Sequence, residues 1–224
     1  MDNDNDEFVR EVELESCGVT LKFVQKNVGN VSCVIWDAAI VLAKYLDFTS
    51  KTNRWLQGKK VLELGAGLGC AGLTAACLGA NVVLTDLKDT LPMLEKNVKV
   101  NKDSLAGLGG TAEAQVLDWG KEVKLNSKYD IILLTDCVYY EKSVQPLLCT
   151  LEIFCDADCG TYTILSQEER DTPKQVVVWK QFLTELKKRF EIEYIPVSQQ
   201  HPTYSSADIH LIKIHKIKQS NLCK

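Results

Sequence analysis

The chain reads as an α/β protein: a mostly parallel sheet with helices on both faces, an antiparallel edge strand, and a β-hairpin at the N-terminal end. Three observations predict this. Short apolar runs recur as "KKVLELG", "NVVLTD", "AEAQVLDW", "YDIILLTD" and "GTYTILSQ". Stretches with helical spacing separate most of them, and strands alternating with helices of about ten to fifteen residues imply right-handed crossovers and parallel pairing. The last two strand-like runs, "EIEYIPV" and "DIHLIKIHK", stand close enough in sequence to pair antiparallel at the sheet edge. At 224 residues one sheet and one domain suffice.

In chain order, Val9, Val12 and Leu14 alternate before "CGV", and Val19, Leu21 and Phe23 alternate after it, predicting a hairpin that turns near Gly18. "VSCVIWDAAIVLAKYLDF" puts Trp36, Ala39, Ile40, Ala43 and Leu46 at helical spacing, with one buried face. "KKVLELG" is a strand running into a glycine cluster, and "CAGLTAACLGA" a small-residue helix stopped by Gly79. Strand "NVVLTD", helix "LPMLEKNVKVN", strand "AEAQVLDW", strand "YDIILLTD", helix "SVQPLLCTLEIF" and strand "GTYTILSQ" follow. Pro173 suits the first turn of the long helix "PKQVVVWKQFLTELKKRF". The expected organisation is a single domain over 1–224: an acidic segment and hairpin over 1–30, a core over 31–216 and a basic tail over 217–224.

Composition narrows the function. Apolar residues at 46% and charged residues at 25% are ordinary for a globular protein, and no run approaches the roughly 20 apolar residues of a membrane span. The acidic start "MDNDNDEF" lacks an apolar signal segment, so the expectation is a cytoplasmic protein with reduced thiols. Cys70, Cys77, Cys137 and Cys149 lie in apolar periodic segments as small hydrophobes. Cys155 and Cys159 form no CxxC pair, and His201, His210 and His215 no ligand motif, so no metal site is expected. A net charge of −4 argues against a protein that grips nucleic acid by its phosphates.

In open parallel sheets ligands bind beyond the carboxyl ends of the strands, and the polar motifs fall there. "ELGAGLGCAG" supplies Gly65, Gly67 and Gly69, and Gly67, Gly69 and Gly72 also satisfy GxGxxG. Asp86 ends the next strand, at the spacing of a carboxylate that accepts hydrogen bonds from ribose hydroxyls. This fits either NAD or S-adenosylmethionine, which both carry an adenosine. Asp118 and Trp119 end the third strand, where an indole packs on an adenine face or simply joins the core. No histidine or lysine stands at a later strand end to serve a hydride transfer; "LLTDCVYY" ends instead on Asp136, with Tyr139 three residues on.

On "WDAAIVLAKYL", "VLELGAGLGCAGLTAACLGA", "VVLTDL", "DWG" and "DCVYY", in that order, the chain resembles the class I, Rossmann-like, seven-stranded S-adenosylmethionine-dependent methyltransferases. More narrowly it is similar to the methyltransferase-like 21 group of protein-lysine methyltransferases, selected by the Asp-x-x-Tyr signature at Asp136 and Tyr139. The likeness runs from about Val31 to Lys216, with Thr135 and Leu68 departing from the usual pattern. "WDAAIVLAKYL", "DCVYYE" and "SSADIHLIKI" draw it towards the branch that acts on valosin-containing protein, a hexameric AAA ATPase.

The resemblance implies S-adenosyl-L-methionine as cofactor and S-adenosyl-L-homocysteine as product. Trp36 would flank the cofactor, Gly65, Ala66 and Gly67 would cradle it, Asp86 would hold its ribose, Trp119 would border its adenine, and Thr135 would touch it. Glu63 would orient the methionine ammonium, or stand in solvent as a strand-end carboxylate. Asp136 and Tyr139 would form the acceptor site, Asp136 taking a hydrogen bond from the amine and Tyr139 walling a lysine channel, whereas Tyr140 packs. Glu168 and Arg170 of "SQEER" would face the protein substrate or form a solvated charge run. The implied partner is a protein substrate, valosin-containing protein, met by a monomer. Two other readings remain: an NAD-dependent oxidoreductase, and a non-catalytic partner-binding protein on the same fold.

Overall fold

A computed structural model describes residues 6–27, 29, 31–122, 125 and 128–217. Most of the acidic start and nearly all of the basic tail lie outside the described residues. No helix among the described residues is long and apolar enough to cross a membrane.

β1 (Glu7–Leu14) and β2 (Val19–Lys26) form the antiparallel hairpin, with Gly18 at φ 67° completing the turn. The turn is held from outside. The fully buried Asp47 carboxylate accepts the backbone N–H groups of Glu15 at 2.8 Å and Ser16 at 3.0 Å. The free edge of β2 is met by two asparagines four residues apart. Asn97 exchanges hydrogen bonds with Val24, and Asn101 with Lys22, so one helical face stands in for a third strand.

α1 (Asp37–Ser50) is buried continuously from Ala38 to Asp47, not along one face as its spacing predicts, because it is wedged between the sheet, the next helix and the hairpin. Even Lys44 is buried, its ammonium donating to the Glu13 carbonyl at 2.6 Å. Trp36 precedes the helix at its N-cap and is 41% exposed, which corrects its place on the helical face.

The remaining elements are β3 (Lys60–Leu64), α2 (Cys70–Cys77), β4 (Asn81–Asp86), α3 (Leu91–Val100), the short α4 (Lys102–Ala106), β5 (Thr111–Val116), β6 (Ile131–Thr135), α5 (Glu141–Phe154), β7 (Tyr162–Glu168), α6 (Pro173–Leu186), β8 (Phe190–Tyr194) and β9 (Ile209–Lys216). The sheet has seven strands in the order β5-β4-β3-β6-β7-β9-β8. β5, β4, β3, β6 and β7 pair in parallel. The antiparallel strand is β9, one in from the edge, paired with both β7 and β8. Alternate residues of the central strands feed opposite cores: Val61, Ile131 and Ile164 pack towards α1 and α2, Leu62, Ile132 and Leu165 towards α5 and α6. Cys70, Cys77 and Cys137 are buried as expected of small hydrophobes, but Cys149 is exposed on the outer side of α5.

Candidate active site

Parallel pairing brings the C-terminal ends of β3, β4, β6 and β7 to one rim, since Leu64 pairs with Thr85 and Leu134, and Thr135 with Ser166. Over that rim opens a cavity of about 670 Å³, a size that suits a nucleoside-bearing ligand. Every site residue expected from the sequence lines it except Glu63: Trp36, Gly65, Ala66, Gly67, Asp86, Trp119, Thr135, Asp136 and Tyr139.

The β3–α2 turn makes the floor. Gly65 (φ 67°), Gly67 (φ 55°) and Gly69 (φ 82°) all occupy the left-handed region that favours glycine. A Cβ on Gly65 would come within 2.8 Å of the Trp119 ring and 2.9 Å of the Cys137 sulfur, so the turn and the indole are packed without slack. A Cβ on Gly67 would meet only the Ser32 carbonyl at 4.0 Å, leaving its backbone open to a ligand. Asp86 accepts the Gly67 N–H at 2.8 Å and the Leu87 N–H at 2.7 Å. One bond per oxygen leaves lone pairs for hydroxyl donors. Trp119 lies past the end of β5, which stops at Val116, and is half-buried against the glycine turn. These residues fit an adenosine ligand: a ring wall, a diol acceptor and an uncovered backbone.

Glu63 requires a correction. It is fully buried beneath the turn, away from the cavity, where it accepts the Gly72 N–H at 2.9 Å; its other oxygen has no partner. Burial pushes its carboxyl up to about 8. It is not a solvent-exposed strand end, and its bond to Gly72 fastens α2 to β3.

At the other end of the cavity β6 stops because Asp136 turns the chain at φ 51°, a left-handed conformation that costs a non-glycine residue about 1–2 kcal/mol. Three contacts hold it. Its N–H donates to the Ser166 carbonyl at 2.8 Å. The Gln167 amide donates through Nε2 to Asp136 Oδ1 at 2.7 Å and accepts the Val138 N–H at 3.0 Å. Arg170 grips the carboxylate with both nitrogens, Nη1 to Oδ1 at 3.0 Å and Nη2 to Oδ2. Arg170 also meets Glu168 Oε2 at 2.8 Å, and its guanidinium sits 5.4 Å from the Trp36 ring centroid. The Trp36 ring is itself fixed by its N–H donating to the Val31 carbonyl at 2.8 Å. Tyr139 is half-buried beside Asp136, and burial first, then the neighbouring Cys137 and Asp86, pushes its phenol up to about 12. It stays a neutral hydroxyl at any working pH. Tyr140 packs on it with ring centroids 4.5 Å apart.

Sequence reasoning missed Gln167, which carries no motif of its own, and the grip of Arg170 on Asp136. The charged cluster "SQEER" marked the place, but a solvated run does not describe a guanidinium folded onto Asp136 at the wall of the cavity.

A family model described as lysine methyltransferase matches residues 16–189. Protein N-lysine methyltransferase METTL21A of Danio rerio is 37% identical over 195 residues, covering 85% of this chain and 80% of the relative. EEF1A lysine methyltransferase 3 of Xenopus tropicalis is 31% identical, covering 86% of each. Among solved structures, the T. thermophilus 16S rRNA N2 G1207 methyltransferase RsmC, in complex with AdoMet and guanosine, superposes with a TM-score of 0.65 at 18% identity, over 95% of this chain and 51% of that one. The glycopeptide N-methyltransferase MtfA with S-adenosylmethionine gives 0.58 at 12% identity, over 79% and 87%. Identities this low carry the fold and not the substrate.

The chain belongs to the lysine methyltransferase family. It is an S-adenosylmethionine-dependent protein-lysine N-methyltransferase of the methyltransferase-like 21 group.

Proposed function

We propose that Asp136 and Tyr139 receive the acceptor lysine, that Trp36, Gly65, Ala66, Gly67, Asp86, Trp119 and Thr135 seat the cofactor, and that the protein methylated is valosin-containing protein. The observation that carries the site assignment is that one cavity joins the adenosine-type cradle to the Asp136–Tyr139 corner. S-adenosylmethionine supplies an electrophilic methyl on a sulfonium. The lysine nitrogen must present a free lone pair, although its ordinary pKa is about 10.4. Its proton leaves to water, the nitrogen forms the new N–C bond, and the C–S bonding pair departs with sulfur. Asp136 orients the amine as a hydrogen-bond acceptor, and the Tyr139 ring and hydroxyl wall the aliphatic stem.

The substrate assignment rests on "WDAAIVLAKYL", "DCVYYE" and "SSADIHLIKI". A relative named for EEF1A makes EEF1A the competing acceptor. The reading takes the protein as a cytoplasmic monomer, its reducing compartment supported by the free thiols among its described cysteines.

The test incubates purified protein with labelled S-adenosylmethionine and either valosin-containing protein or EEF1A. Label on a lysine of the first supports the assignment. Label on EEF1A alone transfers the substrate, and label only in RNA from whole extract overturns the class of acceptor. Asp136→Ala should abolish transfer while S-adenosylhomocysteine still binds in a calorimeter. Binding of NAD in its place would return the oxidoreductase reading.

A further inference from the structure

An unpaired carboxylate is a poor companion for an acceptor lysine. A negative charge within about 4–6 Å favours the ammonium form, which has no lone pair to give. Asp136 is not unpaired. Its carboxylate is almost fully buried and carries three hydrogen bonds from Gln167 and Arg170, so Oδ1 is saturated and Oδ2 keeps one acceptor site.

Resting on the reading of Asp136 as the acceptor site, we propose that Arg170 is a positioning residue for methyl transfer: its guanidinium cancels the Asp136 charge, leaving Oδ2 as a hydrogen-bond acceptor that holds the lysine as its neutral amine. Asp136 thereby orients the nitrogen without trapping its proton. Arg170 is preset for this. Its side chain is 20% exposed, its bidentate fork fits a carboxylate edge, and its flat face lies over Trp36, tying the cofactor wall to the acceptor corner.

The neighbouring charges define the direction of the effect. Glu168, on the flank of β7, takes a single contact from Arg170 and is 30% exposed, so solvent screens it more than Asp136. Asp86 and Asp118 from the β4 and β5 ends and Lys142 from α5 also face the cavity, with the phenols of Tyr139 and Tyr140 and the thiols of Cys70 and Cys137. Burial pushes both thiols up, so they stay neutral. Removing Arg170 leaves Asp136 and Glu168 uncompensated beside the amine. Removing Glu168 leaves the cation less shared.

The experiment measures kcat against pH with saturating acceptor, using whichever of valosin-containing protein and EEF1A takes label, because kcat reports ionisations within the bound complex. Arg170→Gln should move the acid limb to higher pH by roughly one to three units. Its deficit at neutral pH, on the order of tenfold or more, should then close as pH rises. Arg170→Lys should keep the limb near its original place at a lower rate. Glu168→Gln, a partly exposed change, should move the limb the other way and decides the matter if Arg170→Gln does not fold. A uniform rate loss with the limb unmoved, or a gain at every pH, overturns the proposal. Asp136→Ala, which removes the acceptor oxygens, separates the two ideas. If it turns over fully, the acceptor assignment itself is wrong; if it is inactive while the limbs of Arg170→Gln and Glu168→Gln stay fixed, only the role of Arg170 falls.

Discussion

Gln167 bridges Asp136 and Val138 at the end of β6: its amide nitrogen is 2.7 Å from Asp136 Oδ1 and its amide oxygen 3.0 Å from the Val138 nitrogen. The Val138 N–H can only donate, so the amide orientation is fixed, and with it the position of the carboxylate. Gln167→Leu orphans a buried N–H and frees Asp136, a cost of about 1–3 kcal/mol. We expect turnover to fall about 10- to 100-fold, with S-adenosylhomocysteine affinity changed less than about twofold, as titration calorimetry beside steady-state assays would show. Unchanged turnover would mean that the left-handed turn at Asp136 holds without its clamp.

The three glycines of the β3–α2 turn are not equivalent. Gly65→Ala places a methyl against the Trp119 ring and the Cys137 sulfur, in addition to the strain of φ 67°. Its melting temperature should drop by roughly 5–10 °C, and nucleoside binding should go with it. Gly67→Ala carries only the backbone strain at φ 55°, because no atom lies nearer than 4.0 Å. Thermal melts should find it within about 5 °C of the parent, yet the added methyl would stand over the backbone proposed to cradle the cofactor. S-adenosylhomocysteine affinity should therefore fall at least about tenfold, or about 1.4 kcal/mol.

Tyr139 should act through its shape more than its ionisation. With the phenol pushed up to about 12 by burial, no descending limb from this residue should enter the rate profile below about pH 10. Tyr139→Phe keeps the wall and loses one hydroxyl contact, a change of about 1 kcal/mol or roughly fivefold. Tyr139→Ala opens the channel and should cost far more. Equal losses in the two variants would shift the emphasis to the hydroxyl.

Glu63 makes folding stability depend on pH. Its folded pKa, about 8, lies above the ordinary 4.5 because burial disfavours the charge. The folded chain therefore holds this proton more tightly than the unfolded chain. The contribution is fully present below about pH 4.5 and is lost as pH rises through about 8. Compared with Glu63→Gln, the parent should lose stability across that window at a limiting slope of about 1.4 kcal/mol per pH unit and then level off. Denaturant melts at half-unit intervals would show this; parallel curves would mean that water reaches the carboxylate.

The alternation of strands and helices, the glycine turn and Asp86 were legible because each is local: period, punctuation and a fixed spacing along one βαβ unit. The sequence sets Trp36 on a helix face. A tryptophan before an aspartate at a helix start fits the apolar spacing just as well, and only the cap geometry separates them. The burial of α1 on all sides depends on three neighbours that no window of residues contains. The solvent-facing alternative for Glu63 fails: strand ends usually meet solvent, whereas here the returning helix α2 roofs it over. The Gln167–Asp136 contact spans 31 residues and exists only because β6 and β7 pair in register.

The place of β9 also bears on how the polypeptide is made. β8 leaves the ribosome first yet has only β9 as a neighbour, and β9 must slide between β8 and β7 before either has its final partner. Until residues 209–216 emerge, the outer edge of β7 stays bare, next to the segment that clamps Asp136. Nascent chains stalled short of that point would carry an open, aggregation-prone edge beside an unsupported Asp136 turn, so methyl-transfer competence should arrive only with the closing strand.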